Sequence, residues 1–124
     1  MSDSFGEIAR VLRNYYDGLY RCDAALLETV FHPQALYATT SSGELLHYDM
    51  SAYMAVIRER TPPADSGDAY RYDIESIRFA GEDTAFAVLR CAMMGKHFTD
   101  FLSFVRDEGE WRIMAKVFHF DLAS

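Results

Sequence analysis

The stretch FTDFLSFVRDEGEWRIMAKVFHF, residues 98–120, alternates apolar and polar side chains on both sides of an acidic, glycine-containing break. Side chains two apart along a strand share a face, so the pattern reads as two strands of a hairpin reversing at Glu108-Gly109. Turn signals of the same kind at Ala80-Gly81-Glu82-Asp83 and Gly95-Lys96 divide the second half of the chain into four strands, over residues 70–79, 84–94, 97–106 and 111–122. The hairpin also holds an aspartate, Asp100, and a lysine, Lys116, among its most hydrophobic positions. A charge placed there must be paired, or must serve something bound beside it.

Ahead of the strands the period changes. Residues 4–21 put Ile8, Leu12, Tyr15, Tyr16 and Leu19 at three- and four-residue steps, with Glu7, Arg10, Arg13 and Asp17 opposite, which is the stripe of an amphipathic helix. Asp23 stands as the N-cap of a short second helix, AALLETVF, which Pro33 ends. Residues 35–40 read as a strand, SSG as a turn and 45–48 as a small second strand. Ser51 is the expected cap of a third helix, AYMAVIRER, which directs Tyr53, Val56 and Ile57 inward and stops before Pro62-Pro63 in the loop TPPADSGDA. Helices followed by an antiparallel meander make an α+β plan, with the helices on one face of a curved, mostly antiparallel sheet. No repeat or linker interrupts the 124 residues, so a single domain over 1–124 is expected.

Composition narrows the function classes. Hydrophobic residues make up 50% of the chain and aromatics 15%, which is a folding composition. A net charge of −7 without a run of Lys or Arg argues against nucleic acid and anionic membrane as partners. The opening MSDSFGEIARVLRNYY lacks the basic start and apolar stretch of a secretory leader, and no apolar run approaches the ~20 residues of a membrane span. A soluble, cytoplasmic protein is therefore expected. Cys22 and Cys91 have no CxxC spacing and read as packed thiols. The four histidines form no i, i+3 or i+4 pair, so neither a metal site nor a cofactor is expected.

Pairing decides which face each charge occupies. A two-residue loop at Gly95-Lys96 sets Met94 against His97, Met93 against Phe98, Cys91 against Asp100 and Leu89 against Leu102. A three-residue loop over Asp107-Glu108-Gly109 sets Arg106 against Glu110, Phe104 against Arg112, Leu102 against Met114 and Asp100 against Lys116. One face then carries Leu89, Cys91, Met93, Phe98, Asp100, Leu102, Phe104, Met114, Lys116 and Phe118. The other carries Arg90, Ala92, Met94, His97, Thr99, Phe101, Val105, Trp111, Ile113, Val117 and His119. A two- or four-residue loop at Gly109 would shift the last strand by one and give Asp100 the company of Val117 and His119. Both faces are too apolar for open water, so a second copy is expected to cover the outer one as a homodimer.

The helix order, the segment Asp23-AALLETVFHPQAL-Tyr37 and the ending GEWRIMAKVFH resemble the superfamily of nuclear transport factor two, ketosteroid isomerase, SnoaL-like polyketide cyclases and scytalone dehydratase. The closing stretch from His97 to His119 resembles more narrowly the bacterial group labelled "Putative lumazine-binding". The likeness spans nearly the whole chain. It implies a cone: three N-terminal helices in the concavity of a strongly curved sheet, a mostly apolar pocket between them, and a dimer through the outer sheet face. It also implies that Lys116 and Phe118 point into the cone.

Asp100 and Lys116 then read either as a buried pair that fixes the strands or as the polar floor of a site, with Asp100 as acid or base and Lys116 anchoring an anion or carbonyl. Tyr15, eight residues before Asp23, resembles the oxyanion-holding tyrosine of the isomerase, though an amphipathic helix also uses Tyr as core. The isomerase's general-base position falls at or near Thr39, which cannot abstract a proton at neutral pH. His32, before Pro33, more often packs against a helix end than catalyses, and His47 and His97 read as surface or interface residues. The expected ligand-facing set is His32, Tyr37, Tyr53, Cys91, Met93, Phe98, Phe118 and His119, with Phe31 and Met54 also able to line the cone, although such residues are usually plain core. The leading reading is a small-molecule-binding protein for an aromatic or heterocyclic ligand. The alternatives are a cofactor-independent isomerase, cyclase or dehydratase, and a non-catalytic dimeric scaffold.

Overall fold

Three aspartates begin the three helices in the same way. Asp3 accepts from the Gly6 amide at 2.9 Å, Asp23 from Leu26 at 3.0 Å and Asp49 from Ala52 at 2.8 Å, each satisfying an amide that the first helical turn leaves open. A computed structural model describes residues 3–123; Met1 and Ser2, the first residues of the opening weighed above as a leader, and Ser124 lie outside them. Helix α1 is Ser4–Arg21, α2 is Ala24–Val30 and α3 is Met50–Glu59. The strands are β1 Phe31–Thr39, β2 Leu46–Asp49, β3 Tyr72–Ala80, β4 Thr84–Met93, β5 Lys96–Asp107 and β6 Glu110–Leu122. They form one sheet in the order β2-β1-β6-β5-β4-β3, in which β1 and β6 run parallel and every other pair antiparallel. The protein is thus an α+β fold of three helices and a six-stranded mixed sheet. No described helix is long and apolar enough to cross a membrane.

The stripe on α1 is buried as its spacing requires: Ile8, Leu12, Tyr15, Tyr16 and Leu19 all lie in the core. The chain then turns through Cys22, at φ 49°, into α2. The two helices approach so closely at Gly18 that a Cβ there would stand 2.6 Å from the Leu27 side chain. On the sheet, Ala35, Tyr37, Ala87, Leu89, Leu102, Phe104, Ile113 and Phe118 turn to the same buried side and close the core.

Several sequence expectations need correction. Helix α3 is capped by Asp49, and Ser51 lies inside it. Two strands separate α2 from α3, so only α1 and α2 precede the sheet. Strand β1 starts at Phe31 instead of 35; the ladder to β6 is irregular between Phe31 and Leu36, which accommodates Pro33 and its missing amide. The β4–β5 turn is Met94-Gly95, with φ of 55° and 70°, so Met93 pairs with Lys96, Leu89 with Asp100 and Cys91 with Phe98. That differs from the expected register by two residues, which keeps every side chain on its expected face.

The last hairpin departs further. Its turn is the two residues Glu108 and Gly109, at φ of 52° and 80°, and Asp107 pairs with Glu110. Such a turn alone would point Lys116 outward. Instead Phe104 pairs with Ile113 and Ser103 with Ala115, leaving Met114 as an extra residue, and this bulge turns the strand back by one position. Trp111 and Ile113, expected outside, are therefore buried before the bulge, and Lys116 and Phe118 are buried after it. Met114, expected on the buried face, is the residue spent in the bulge.

Candidate functional site

Asp100 on β5 and Lys116 on β6 are 1% and 5% exposed, on the face that α1 and α3 cover. They are not direct partners: Asp100 pairs with Phe118 and Lys116 with Leu102, and no ion pair joins them. The expected direct pairing is thus corrected to a diagonal one, each charge having its own tyrosine. Tyr15 on α1 donates to Asp100 Oδ2 at 2.6 Å. Lys116 Nζ donates to the Tyr53 hydroxyl on α3 at 3.3 Å.

Four rings surround the ammonium. Nζ stands 4.8 Å from the centroid of Phe118, 5.1 Å from Tyr15, 5.4 Å from Tyr37 and 5.5 Å from Tyr53. A desolvated cation gains about 2 kcal/mol from such a ring face, which helps to offset its burial. Burial alone would weaken the hold of Lys116 on its proton, but Tyr53, Asp100 and Tyr37 outweigh it and carry its pKa up to about 12. Lys116 is therefore an ammonium at neutral pH. Burial, with Asp100 adding to it, holds Tyr15 well above the ordinary phenol range, so its proton stays committed to Asp100. Burial pushes Tyr37 up to about 12, and burial followed by Asp100 pushes the Cys91 thiol to about 12.

Two polar valences remain open. Asp100 Oδ1 is buried without a hydrogen-bond partner, and Lys116 makes one hydrogen bond where an ammonium has three donors. Both residues line a cavity of about 170 Å³. Its walls are Leu19, Tyr37, Tyr53, Cys91, Met93, Phe98 and Phe118, and the lining residues that reach solvent at its mouth are Ser42, Leu46, Arg60, Met94, Lys96 and Phe120. Thr39 also lines it; its hydroxyl donates to the Phe118 carbonyl at 2.7 Å and is fully engaged.

The structure therefore brings together Asp100, Lys116, Tyr37, Tyr53, Cys91, Met93, Phe98 and Phe118 from the expected set, with Tyr15 immediately behind Asp100. It does not bring His32 or His119. His32 Nδ1 accepts from the Gln34 amide at 3.1 Å, so Nε2 carries the hydrogen toward Asp107 at 3.0 Å, and both nitrogens are occupied at the opposite end of β1. His119 is exposed on the other sheet face between Ser41 and Asp121, because the bulge places odd-numbered residues of late β6 outside. Phe31 and Met54 border a different, larger hollow of about 300 Å³ beside His32, Glu28 and Arg58. Its charged groups are already paired, Arg58 with Glu28 at 2.7 Å and His32 with Asp107, so the smaller cavity is the better candidate. Sequence reasoning missed Arg60, which caps the end of α3, Lys96, which opens β5 where the sequence reads as a turn, and Phe120, which lies inside β6.

The family model described as "Putative lumazine-binding" matches residues 3–119. No curated protein matches the chain. Among solved structures, an NTF-2 like protein of unknown function from Silicibacter pomeroyi is 27% identical, with a TM-score of 0.82 over 98% of this chain and 100% of that one. An NTF2-like protein of unknown function from Shewanella baltica gives a TM-score of 0.84 at 24% identity, over 97% of this chain and 95% of that one. Another from Methylobacillus flagellatus gives 0.84 at 19% identity, over 98% and 94%. The arrangement of three helices on a six-stranded mixed sheet is thus the NTF2-like fold.

Proposed function

The chain belongs to the family described as "Putative lumazine-binding", and on that ground we propose that it is a small-molecule-binding protein whose ligand has an aromatic or heterocyclic face and a polar edge. The observation that carries this reading is the unpartnered, buried Asp100 Oδ1 beside a Lys116 with donors to spare. Leaving a buried carboxylate oxygen unmatched costs about 1–3 kcal/mol, a cost that a ligand N–H removes. A carbonyl or ring nitrogen next to that N–H accepts from Lys116, and Tyr37, Phe98 and Phe118 meet the ring. A lumazine, the compound in the family's description, carries N–H and C=O groups side by side in this way.

Size limits the fit. Cavities of about 150 Å³ hold one benzene-sized ring, so 170 Å³ takes a single ring fully, and a second fused ring extends toward the mouth. In this reading the sheet wraps the helices as a cone, its wide end is the mouth, and the outer sheet face is covered by a second copy of the chain. Proton-transfer chemistry of the isomerase kind gains less support: Thr39 stands near the base position with its hydroxyl engaged, Lys116 is already protonated, and the Tyr15 hydroxyl spends its one donor on a hydrogen bond to Asp100.

Native mass spectrometry of protein purified from its own host tests the proposal. The wild-type chain is expected to retain a small molecule, and Asp100→Asn and Lys116→Met each to lose it while keeping the wild-type circular dichroism spectrum. Retention unchanged by both substitutions would remove these two residues from the site.

A further inference from the structure

The chain has 19 acidic residues against 12 Lys and Arg, yet the residues lining the candidate cavity reverse that balance. Among them Asp100 is the one acid, and Arg60, Lys96 and Lys116 are cations. Lys116 lies at depth, within its ring of aromatic side chains. Arg60 follows α3 and Lys96 opens β5; both are half-buried and line the cavity, one from the helix end and one from the Met94-Gly95 turn. Neither makes an ion pair among the described residues, a state they share with Arg10, Arg13, Arg21, Arg71 and Arg78; what sets them apart is that they line the cavity. Lys96 Nζ rests 4.8 Å from the centroid of Phe120, another mouth residue, which holds the ammonium against the rim. Arg60 is close enough to Tyr37, a wall residue, for its charge to favour the phenolate.

We propose that the ligand of this cavity is an anion: a heteroaromatic ring seated against Asp100 and Lys116, with a carboxylate or phosphate at the mouth between Arg60 and Lys96. The inference rests on the binding reading given above and narrows it to a class of acids. The two ends do different work. Asp100 and Lys116 meet a ring edge that carries a donor beside an acceptor, and the deep wall is apolar, so the charge of the ligand must lie at the other end. There a guanidinium offers paired N–H donors to a carboxylate or phosphate, and an ammonium adds a point charge. In a chain of net charge −7, the three cations and one acid that line the cavity give it a charge balance opposite to that of the whole molecule, although the Asp68 carboxylate, which accepts from the Met94 amide at 3.1 Å, lies beside the rim.

Matched probes separate the ring from the charge. Orotate, a one-ring carboxylate with adjacent N–H and C=O groups, and its uncharged methyl ester are titrated into the full-length protein by isothermal calorimetry at two salt concentrations. The acid is expected to bind about tenfold or more tightly than the ester, and its advantage to shrink as salt rises. Arg60→Gln and Lys96→Gln are each expected to weaken the acid about tenfold and to leave the ester unchanged, with the fold preserved because both side chains reach solvent. Uridine 5′-monophosphate against uridine is the phosphate arm: a charge preference in one pair alone identifies which anion the rim accepts.

Equal binding of acid and ester in both pairs, or loss of both members alike in the rim variants, overturns the anion assignment and leaves the deep site standing. Failure of every probe to bind at millimolar concentration also overturns it for this class of heteroaryl acids. The binding reading itself is then judged by the retained-ligand measurement on Asp100→Asn and Lys116→Met, which does not depend on ligand charge.

Discussion

Lys116 keeps its proton where burial opposes it, and that opposition has a measurable consequence. Its pKa rises from 10.5 to about 12 because the oxygens of Tyr53, Asp100 and Tyr37 favour the ammonium by more than desolvation disfavours it. A basic group held above its unfolded value stabilises the native state fully below about pH 10.5, and that contribution disappears as the pH passes through 12. Each tenfold gain in proton affinity is worth about 1.4 kcal/mol, so the contribution is about 2 kcal/mol. Urea unfolding of wild type and Lys116→Met, compared at about pH 8 and then toward pH 11.5, is expected to show the two stabilities converging at the alkaline end. A gap that stays constant, or widens, contradicts the idea that the surrounding oxygens hold the proton. Burial raises Tyr15 and Tyr37 above the ordinary phenol range, so both also destabilise the native state as the pH climbs, which is why the comparison with the Met variant, rather than the wild-type curve alone, isolates Lys116. The presence of both charges at depth is legible in the sequence, since an Asp and a Lys interrupt otherwise apolar alternation. Their separate tyrosine partners are not, because those contacts join residues 85 and 63 positions apart and depend on where α1 and α3 settle over the sheet.

At the scale of the element, the last hairpin shows how a right answer arises from an incorrect intermediate. Local chemistry at Asp107-Glu108-Gly109 allows either a two- or a three-residue turn, and the three-residue version aims Lys116 inward. The structure uses the two-residue turn and then spends Met114 in a bulge, which restores the same direction further along the strand for a different reason. Nothing in the run Arg112-Ile113-Met114-Ala115 marks the bulge; Ile113 and Met114 are both apolar, and either suits an inward position. Helix α1, by contrast, is fully readable, because its five large buried residues recur at the helical period. Deleting Met114 is therefore expected to be tolerated, because it removes the one unpaired residue of the ladder. The strand becomes regular while Ser103 still pairs with Ala115 and Leu102 with Lys116, so Lys116 and Phe118 stay buried and a cooperative thermal transition remains. Gly109→Ala is a second local change, in the turn itself. A Cβ there meets nothing within 4 Å, so only the backbone at φ 80° is strained, and the expected loss is about 1 kcal/mol by urea unfolding. A Met114 deletion that loses its cooperative transition would contradict the placing of Met114 as the extra residue of the ladder.

At the scale of the whole molecule, the face of the sheet turned away from the helices leaves several large apolar side chains in water. Phe101 is 49% exposed, Val117 53% and Leu36 48%; Phe101 and Val117 are cross-strand neighbours, and Phe86 packs its ring against Phe101. These residues lie on the central strands β1, β6, β5 and β4, so the patch sits in the middle of the sheet and not at a frayed edge. A contiguous apolar patch in that position is better matched by a second identical patch than by solvent, and a two-fold pairing would set Phe101 and Val117 of one copy near those of the other. The homodimer proposed above therefore has a definite centre. In sedimentation velocity the wild-type chain is expected to run at twice the monomer mass, and its melting temperature to rise with protein concentration, as mass action requires when association stabilises the fold. Val117→Lys and Phe101→Lys, each placing like charges against one another across the two-fold, are expected to give monomers whose melting temperature no longer depends on concentration. Because both side chains reach solvent within the single chain, these monomers should keep the wild-type circular dichroism spectrum and the cavity around Asp100. A wild-type chain that remains monomeric at the highest concentrations would remove the second copy from the proposal, while the proposed ligand site, whose Asp100 and Lys116 lie on the opposite face of the sheet, would stand unchanged.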